Sequence, residues 1–282
     1  MARHPGRDAD SYWLAADEIS QFHRCGYVTL RDVMTEQDLA MVEPTFDRFI
    51  RGEVGGMGRD FCDMSGPYDR KFEDFSLVNA VLPGRYRPAL RGNLYERRCI
   101  SIARQLIGDA ATLDYDQFLA KRPNKPDAIF TWHEDLGYWP TGTPDTVTAT
   151  CSLALDDADQ ENGCLAVVPE SHLGPLRPHR PVHASGGSGR DSSHVLSIEL
   201  APTDMIVELP VRRGDITVHN ERIVHGSGGN RSSVRWRRTY IVACRSKSCV
   251  DYERSIGFTH SHNDAVNWQT HLGALSLQQP RS

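Results

Sequence analysis

The chain lacks the signatures of several common protein classes. No pair of cysteines has Cys-x-x-Cys spacing, and the seven cysteines are odd in number. Both facts argue against a disulfide framework and against a structural zinc knuckle. Cys25, Cys62, Cys99, Cys151, Cys164, Cys244 and Cys249 therefore read as small free thiols. No apolar run approaches the ~18 residues of a membrane span. An excess of basic charge is also missing: the net charge is −5, so no global field draws the chain to nucleic acid or an anionic membrane. Met1 to Tyr12 is polar and charged, without an apolar signal core, which predicts a cytoplasmic protein. There is no internal repeat, no long low-complexity tract and no Pro/Gly/Ser-rich linker. One domain over residues 1–282 is the expectation, since β-rich domains run to this length.

What is present divides by texture. Asp17 to Phe22 has the spacing of a short helix ended by Gly26, and Tyr27 to Leu30 reads as a strand. Thr35 with Asp38 resembles a capping box, opening a helix whose expected apolar face is Leu39, Met41, Val42 and Phe46. Tyr95 to Ile107 also looks helical. From about Ala128 the pattern becomes short apolar runs broken by turn residues, among them Ala128–Trp132, Thr146–Leu155, Cys164–Val168, Asp215–Val218 and Thr239–Cys244. Closely spaced short strands predict a β-sandwich or barrel. The expectation is a mainly β protein: a helical N-terminal third, about 1–127, packed on a β core at about 128–247.

Within that core, Thr131-Trp132-His133-Glu134-Asp135 follows an apolar strand. Side chains two apart on a strand share a face, so His133 and Asp135 can meet one metal ion while Glu134 points away. Far downstream stands Val224-His225-Gly226-Ser227. Two imidazoles and one carboxylate leave open coordination positions, which suits non-haem Fe(II) that must also take a chelating cosubstrate and O₂. A closed zinc site would want a fourth protein ligand. His-x-Asp alone occurs by chance in many chains; its company gives it weight. Glu161-Asn162-Gly163-Cys164-Leu165, Val168-Pro169-Glu170-Ser171-His172, Gly214-Asp215 and His225-Gly226-Ser227-Gly228-Gly229-Asn230 follow in order, then arginines and a final strand.

This ordered set, with Gln21-Phe22-His23-Arg24-Cys25-Gly26-Tyr27 before it, resembles the phytanoyl-CoA dioxygenase family of Fe(II)/2-oxoglutarate-dependent oxygenases from about Glu18 to Cys244. The resemblance implies a double-stranded β-helix, a jelly-roll-like core. It implies His133 and Asp135 as proximal iron ligands and His225 as the distal one. Its cofactors would be Fe(II), 2-oxoglutarate and O₂, and its partner a small-molecule substrate, most simply hydroxylated as succinate and CO₂ are released. In the family an arginine for the distal carboxylate of 2-oxoglutarate lies eleven residues after the distal histidine. Here that position is Trp236, so the register departs by one, and Arg237 takes the role with Arg235 as runner-up. Ser227 would donate to the same cosubstrate. Tyr138 and Trp139 resemble the family's aromatic pair after His-x-Asp and would wall the substrate pocket, with plain core packing as the alternative.

His219 competes as a ligand, but the family often carries a non-ligand histidine or aromatic there. His172 reads as a tie for its turn; His179, His183 and His194 read as solvated loop residues; His260 and His262 receive no role. The nine Arg and Lys of Val211–Lys247 lack the aromatic interleaving of a nucleic-acid surface. Radical halogenation would need the carboxylate ligand absent, and Asp135 is present. Desaturation, epoxidation, ring formation, a silent binding protein on the same fold and a zinc hydrolase were the remaining alternatives. The stretch 177–194, Gly/Ser-rich at its centre, reads as a lid that would shield the oxidising centre from water, with plain disorder as the alternative.

Overall fold

The computed structural model describes residues 4–182 and 195–266. A small hairpin, β1 (Gly6–Asp8) and β2 (Ser11–Trp13), precedes α1 (Ala16–Cys25), β3 (Tyr27–Leu30) and α2 (Glu36–Ile50). Then come β4 (Phe61–Asp63), β5 (Leu77–Val81), the short α3 (Pro83–Tyr86), α4 (Leu94–Ile107) and the long β6 (Ala111–Lys121). The rest is strand-rich: β7 (Phe130–His133), β8 (Thr148–Ala154), β9 (Leu165–Val167), β10 (Arg180–Pro181), β11 (Leu196–Ser197), β12 (Val207–Leu209), β13 (Ile216–His219), β14 (His225–Ser227) and β15 (Arg237–Ser246), closed by α5 (Lys247–Ser255). No helix of the described residues is long and apolar enough to cross a membrane.

The local signals behind the helices are physical. Gly26 ends α1 at φ 84°, its N–H bonded to the Phe22 carbonyl. A side chain there would strike the His172 ring, 2.6 Å from the Cβ position. His172 in turn holds the His23 carbonyl at 3.1 Å, so it does tie its turn to α1. The Thr35–Asp38 box is formed in both directions, at 3.1 and 2.9 Å. Asn93 caps α4 by accepting from the Glu96 N–H.

Two antiparallel sheets make the core. The larger runs β3-β13-β8-β15-β6-β5-β4, and the smaller β12-β9-β14-β7. Every residue of β8 is buried, as expected for a strand covered on both faces. The helices α1, α2 and α4 share one buried cluster with the larger sheet, in which Phe46, Phe49, Phe118 and Tyr240 are prominent.

The β architecture matches the expectation, but the helical N-terminal third does not. Four strands of the larger sheet, β3, β4, β5 and β6, lie before residue 128. The first third is mixed, its helices alternating with strands that complete the core. The physical reason is β6. Its sequence ATLDYDQFLAK sets Asp114, Asp116 and Lys121 at buried positions, so it shows no apolar run. Such a strand cannot be read from hydrophobicity alone, because the partners of its acids are remote in sequence: Arg254 and His260 for Asp114, and Arg91 for Asp116.

Phe118 pins the helical layer to the sheet. It is fully buried and lies 4.6 Å from the ring of Phe46, 5.3 Å from Phe49 and 4.7 Å from Tyr240. Phe118→Ala is expected to cost about 3–5 kcal/mol in urea unfolding. A loss below about 1 kcal/mol would show that the layer does not depend on this contact.

Candidate metal centre

The register of the smaller sheet brings the two distant histidines together. His225 of β14 pairs directly with His133 of β7, and a bulge follows before Ser227 meets Phe130. Directly opposed residues on antiparallel strands present their side chains to one face. Their rings lie 4.2 Å apart between centroids. The strand ends at His133, yet Glu134 keeps an extended backbone before a 3-10 turn at Asp135–Tyr138. That one extended residue returns Asp135 to the face of His133. Asp135 Oδ1 sits 3.4 Å from His133 Nε2 and 3.5 Å from His225 Nε2. The three ligand atoms all lie within 4.8 Å of one another, close enough to share one ion.

Each imidazole is held ready. His133 Nδ1 is 2.7 Å from the Thr131 carbonyl and His225 Nδ1 is 3.0 Å from that of Ile223. A carbonyl only accepts, so each Nδ1 carries the proton and each Nε2 turns its lone pair to the shared space. Burial, and then His133 and His219, push the His225 imidazole well below its ordinary range, which keeps it neutral as a ligand must be. Burial pulls the Asp135 carboxyl upward, but the neighbouring imidazoles, His225 foremost, hold it well below the usual range.

His219 is drawn into the centre without joining it. Its Nε2 is 3.2 Å from Asp135 Oδ2, the oxygen turned away from the other two imidazoles, and its ring lies 4.4 Å from that of His225. This contact fixes which carboxylate oxygen faces the other two imidazoles. It stands at the end of β13, where it pairs with Thr150, another residue of the same cavity.

His179 corrects the reading of a solvated loop histidine. Its side chain is buried, its Nδ1 bonds the Arg177 carbonyl at 2.8 Å, and its Nε2 accepts the Glu134 N–H at 3.0 Å. Both bonds require the neutral ring, and burial pushes its pKa down to about 4. Gly137 leaves the room, since a Cβ there would come within 2.7 Å of that ring. His179 thus clamps the peptide between the two proximal ligands. Glu134 is buried rather than pointed to solvent. It accepts the Arg177 N–H at 2.8 Å, and burial raises it to about 7. His183, His194 and most of the stretch read as a lid lie outside the described residues.

Beyond the histidines, three buried polar residues converge. Arg237 and Lys121 are direct partners across β15 and β6, and both are buried. Lys121 Nζ donates to Ser227 Oγ at 2.7 Å and to the Gly228 carbonyl. Neither cation has a carboxylate within ion-pair distance among the described residues. Burial lowers the Arg237 guanidinium to about 10, and burial with Arg237 beside it pushes the Lys121 ammonium well below its ordinary range. Arg235, in contrast, sits half-exposed and paired with Asp159 and Glu161 at 2.8 and 2.6 Å.

The glycine and asparagine motifs build this corner. Gly163, at φ 79°, allows the Gly228 carbonyl and Lys121 to approach where a Cβ would stand. Asn230 donates to the Arg235 and Lys121 carbonyls at 2.7 and 3.3 Å, which sets the entry of β15 and hence Arg237. Tyr138 and Trp139 both line the cavity in front of the histidines. Tyr138 accepts the Leu196 N–H at 2.7 Å and meets His133 edge-on, while Trp139 is buried under the Arg245 guanidinium. Each is wall and packing at once.

Residues 22–239 match the phytanoyl-CoA dioxygenase family. The chain belongs to that family. Among its relatives is the probable alpha-ketoglutarate-dependent hypophosphite dioxygenase of Stutzerimonas stutzeri, 26% identical over 231 residues, covering 79% of this chain and 76% of that one. The peroxisomal phytanoyl-CoA dioxygenase of Rattus norvegicus is 23% identical over 235 residues, covering 79% and 66%. Of solved structures, EvdO2 from Micromonospora carbonacea var. aurantiaca superposes with a TM-score of 0.66 at 26% identity, covering 84% of this chain and 92% of that one. That protein has also been solved in complex with 2-oxoglutarate. Membership makes this chain an Fe(II)/2-oxoglutarate-dependent dioxygenase, with Fe(II), 2-oxoglutarate and O₂ as its cofactors.

Glu221 stands behind the centre of this dioxygenase as a strained acid. It is fully buried, and neither carboxylate oxygen has a hydrogen-bond partner among the described residues. Burial raises its pKa to about 8 from a model-peptide value of 4.5. A folded pKa above the unfolded one contributes stability that is complete below the unfolded value and is lost as pH rises through the folded one. The metal-free protein should therefore melt at a lower temperature as pH rises from about 5 to about 8, and Glu221→Gln should flatten that slope. A slope that the substitution leaves unchanged would remove Glu221 as its source.

Proposed function

We propose that His133, Asp135 and His225 hold the Fe(II) and that Arg237, Lys121 and Ser227 hold the distal carboxylate of 2-oxoglutarate. The enzyme hydroxylates a small-molecule metabolite in the cavity walled by Tyr138 and Trp139, with release of succinate and CO₂. The observation that carries this reading is the pair of buried cations with no carboxylate of their own. Two like charges set directly opposite on neighbouring strands repel each other, and burial deepens the cost. A dicarboxylate relieves it with charge-assisted, forked hydrogen bonds. Spacing agrees: Ser227 is two residues beyond His225 on β14, about 7 Å along a strand. A five-carbon chain whose keto-acid end chelates the ion at His225 spans that interval.

Bound iron, with 2-oxoglutarate and O₂, supplies the oxidising chemistry. The chain's own residues do the positioning. The Thr131 and Ile223 carbonyls aim the two imidazoles, His219 turns one Asp135 oxygen to the ion, and His179 holds the peptide between the proximal pair. Asp135 fills the coordination position that a halide would need, which favours oxygenation over halogenation. The relatives' names range from hypophosphite to phytanoyl-CoA, so the substrate is read from the cavity and not transferred from them.

Titration of the anaerobic Fe(II) enzyme with 2-oxoglutarate tests the assignment. Arg237→Ala should weaken binding by about a hundred-fold, as expected for removing a charged bidentate donor, while Arg235→Ala should leave it unchanged. The reverse outcome would place the cosubstrate at Arg235. Because the incoming carboxylate favours charged Lys121, binding takes up a proton, and affinity should fall as pH rises. Lys121→Met should abolish that dependence. His225→Ala and Asp135→Ala should abolish succinate formation, and full activity with tightly held zinc would exclude the iron reading.

A further inference from the structure

The cavity in front of the metal centre is closed by a segment beyond the matched family region. Phe258, His260 and His262, which follow α5, line it together with Tyr115, Trp139 and Val81. The segment is firmly built. Ser261 Oγ and the His262 N–H both bond the buried Asp60, at 2.7 and 2.6 Å, and Thr259 bonds Asp264 through N–H and hydroxyl. Between these ties His260 is held at φ 68°, a left-handed conformation that costs a histidine energy.

The side chain repeats the pattern of a placed group. His260 Nε2 lies 2.8 Å from Asp114 Oδ2 and 3.5 Å from Glu253 Oε2, and its ring stacks at 4.3 Å on Tyr115. Asp114 also pairs with Arg254 at 2.5 Å, and Glu253 with Arg245 and with Arg254 at 3.3 Å. Asp114, Glu253 and His260 are close enough together to suggest a second cation site. The two guanidiniums already occupy those carboxylates, so a metal there is disfavoured. The charges of Asp114 and Glu253 cancel those of Arg245 and Arg254. The proton on His260 is then the one surplus charge of the cluster. Burial works against it, but Asp114 and Glu253 outweigh burial and raise the imidazole above its ordinary range. Its Nδ1 has no hydrogen-bond partner among the described residues, on a side chain that forms part of the cavity wall.

We infer that His260 is the specificity residue of this dioxygenase, and that its Nδ1–H receives the carboxylate of a small substrate whose apolar body lies along Phe258, Trp139 and Val81. A donor that faces the cavity, with no protein acceptor among the described residues, is open to an anionic oxygen, which gives it a charge-assisted hydrogen bond. The apolar part of the wall, Phe258, Trp139 and Val81, sets the rest of the molecule between that anchor and the iron. The inference rests on the metal-centre reading above and adds the substrate class to it.

The test uses the full chain loaded with Zn(II), as a redox-inert stand-in, and saturating 2-oxoglutarate. Benzoate and its neutral isostere benzamide are titrated by calorimetry, with ring ¹⁵N signals of labelled histidines followed in parallel. Benzoate should bind about ten-fold more tightly than benzamide and move the His260 signal, the increment of one charge-assisted hydrogen bond. His260→Asn is the variant of choice, because asparagine tolerates the left-handed backbone. It should retain 2-oxoglutarate binding and lose the preference. Equal affinities in the parent protein, a preference that survives in His260→Asn, or benzoate that competes with 2-oxoglutarate would each overturn the inference. If 2-oxoglutarate fails to load, the cosubstrate site is what has failed. The same benzoate preference, and its loss in His260→Asn, are then required of the metal-free protein.

Discussion

Lys121 and Arg237 face each other across β6 and β15, both buried, with no carboxylate among the described residues to neutralise them. A fold does not tolerate that arrangement for its own stability, because each uncompensated charge costs several kcal/mol of desolvation. The surrounding structure exists to maintain it. Gly163 opens the space, Asn230 fixes where β15 begins, and Ser227 holds the lysine head group. These residues belong to the Glu161-Asn162-Gly163 and His225-to-Asn230 motifs, and the proposed anion site would account for them. The same strand β14 carries His225 at its start and Ser227 at its end, which sets the distance between metal and anion site as a property of strand geometry.

The metal centre obeys the same economy. Register across β7 and β14 places His133 opposite His225, and a single extended residue returns Asp135 to their face. Backbone carbonyls set the tautomers, and His219 and His179 hold the carboxylate and the connecting peptide. The first-sphere ligands are few, and most of the buried polar side chains around them serve to aim them.

Much of this was legible in sequence. Period-two spacing made His133 and Asp135 a pair, and the ordered motifs, through the family resemblance, pointed to His225 and to a mainly β core. The capping residues Thr35 and the terminator Gly26 marked their helices correctly. What was missed shares one cause. Lys121 lies in a strand whose charged residues turn inward, and only its register with Arg237, set by the fold, reveals its role. His260 lies past the last motif and gains its place from Asp114 on β6. His179 sits next to a Gly/Ser-rich stretch and looked solvated, yet the chain folds back and buries it. Local pattern reports periodicity and turns; it does not report which remote carboxylate or carbonyl a polar side chain will find.

A crystal structure grown anaerobically with Fe(II) and 2-oxoglutarate, with an anomalous map at the iron edge, tests the account most directly. The account predicts one iron bound by His133 Nε2, Asp135 and His225 Nε2, with the distal cosubstrate carboxylate bonded to Arg237, Lys121 and Ser227. An iron ligated by His219 in place of one of the three, or a carboxylate lying at Arg235 with Arg237 and Lys121 left bare, would contradict it.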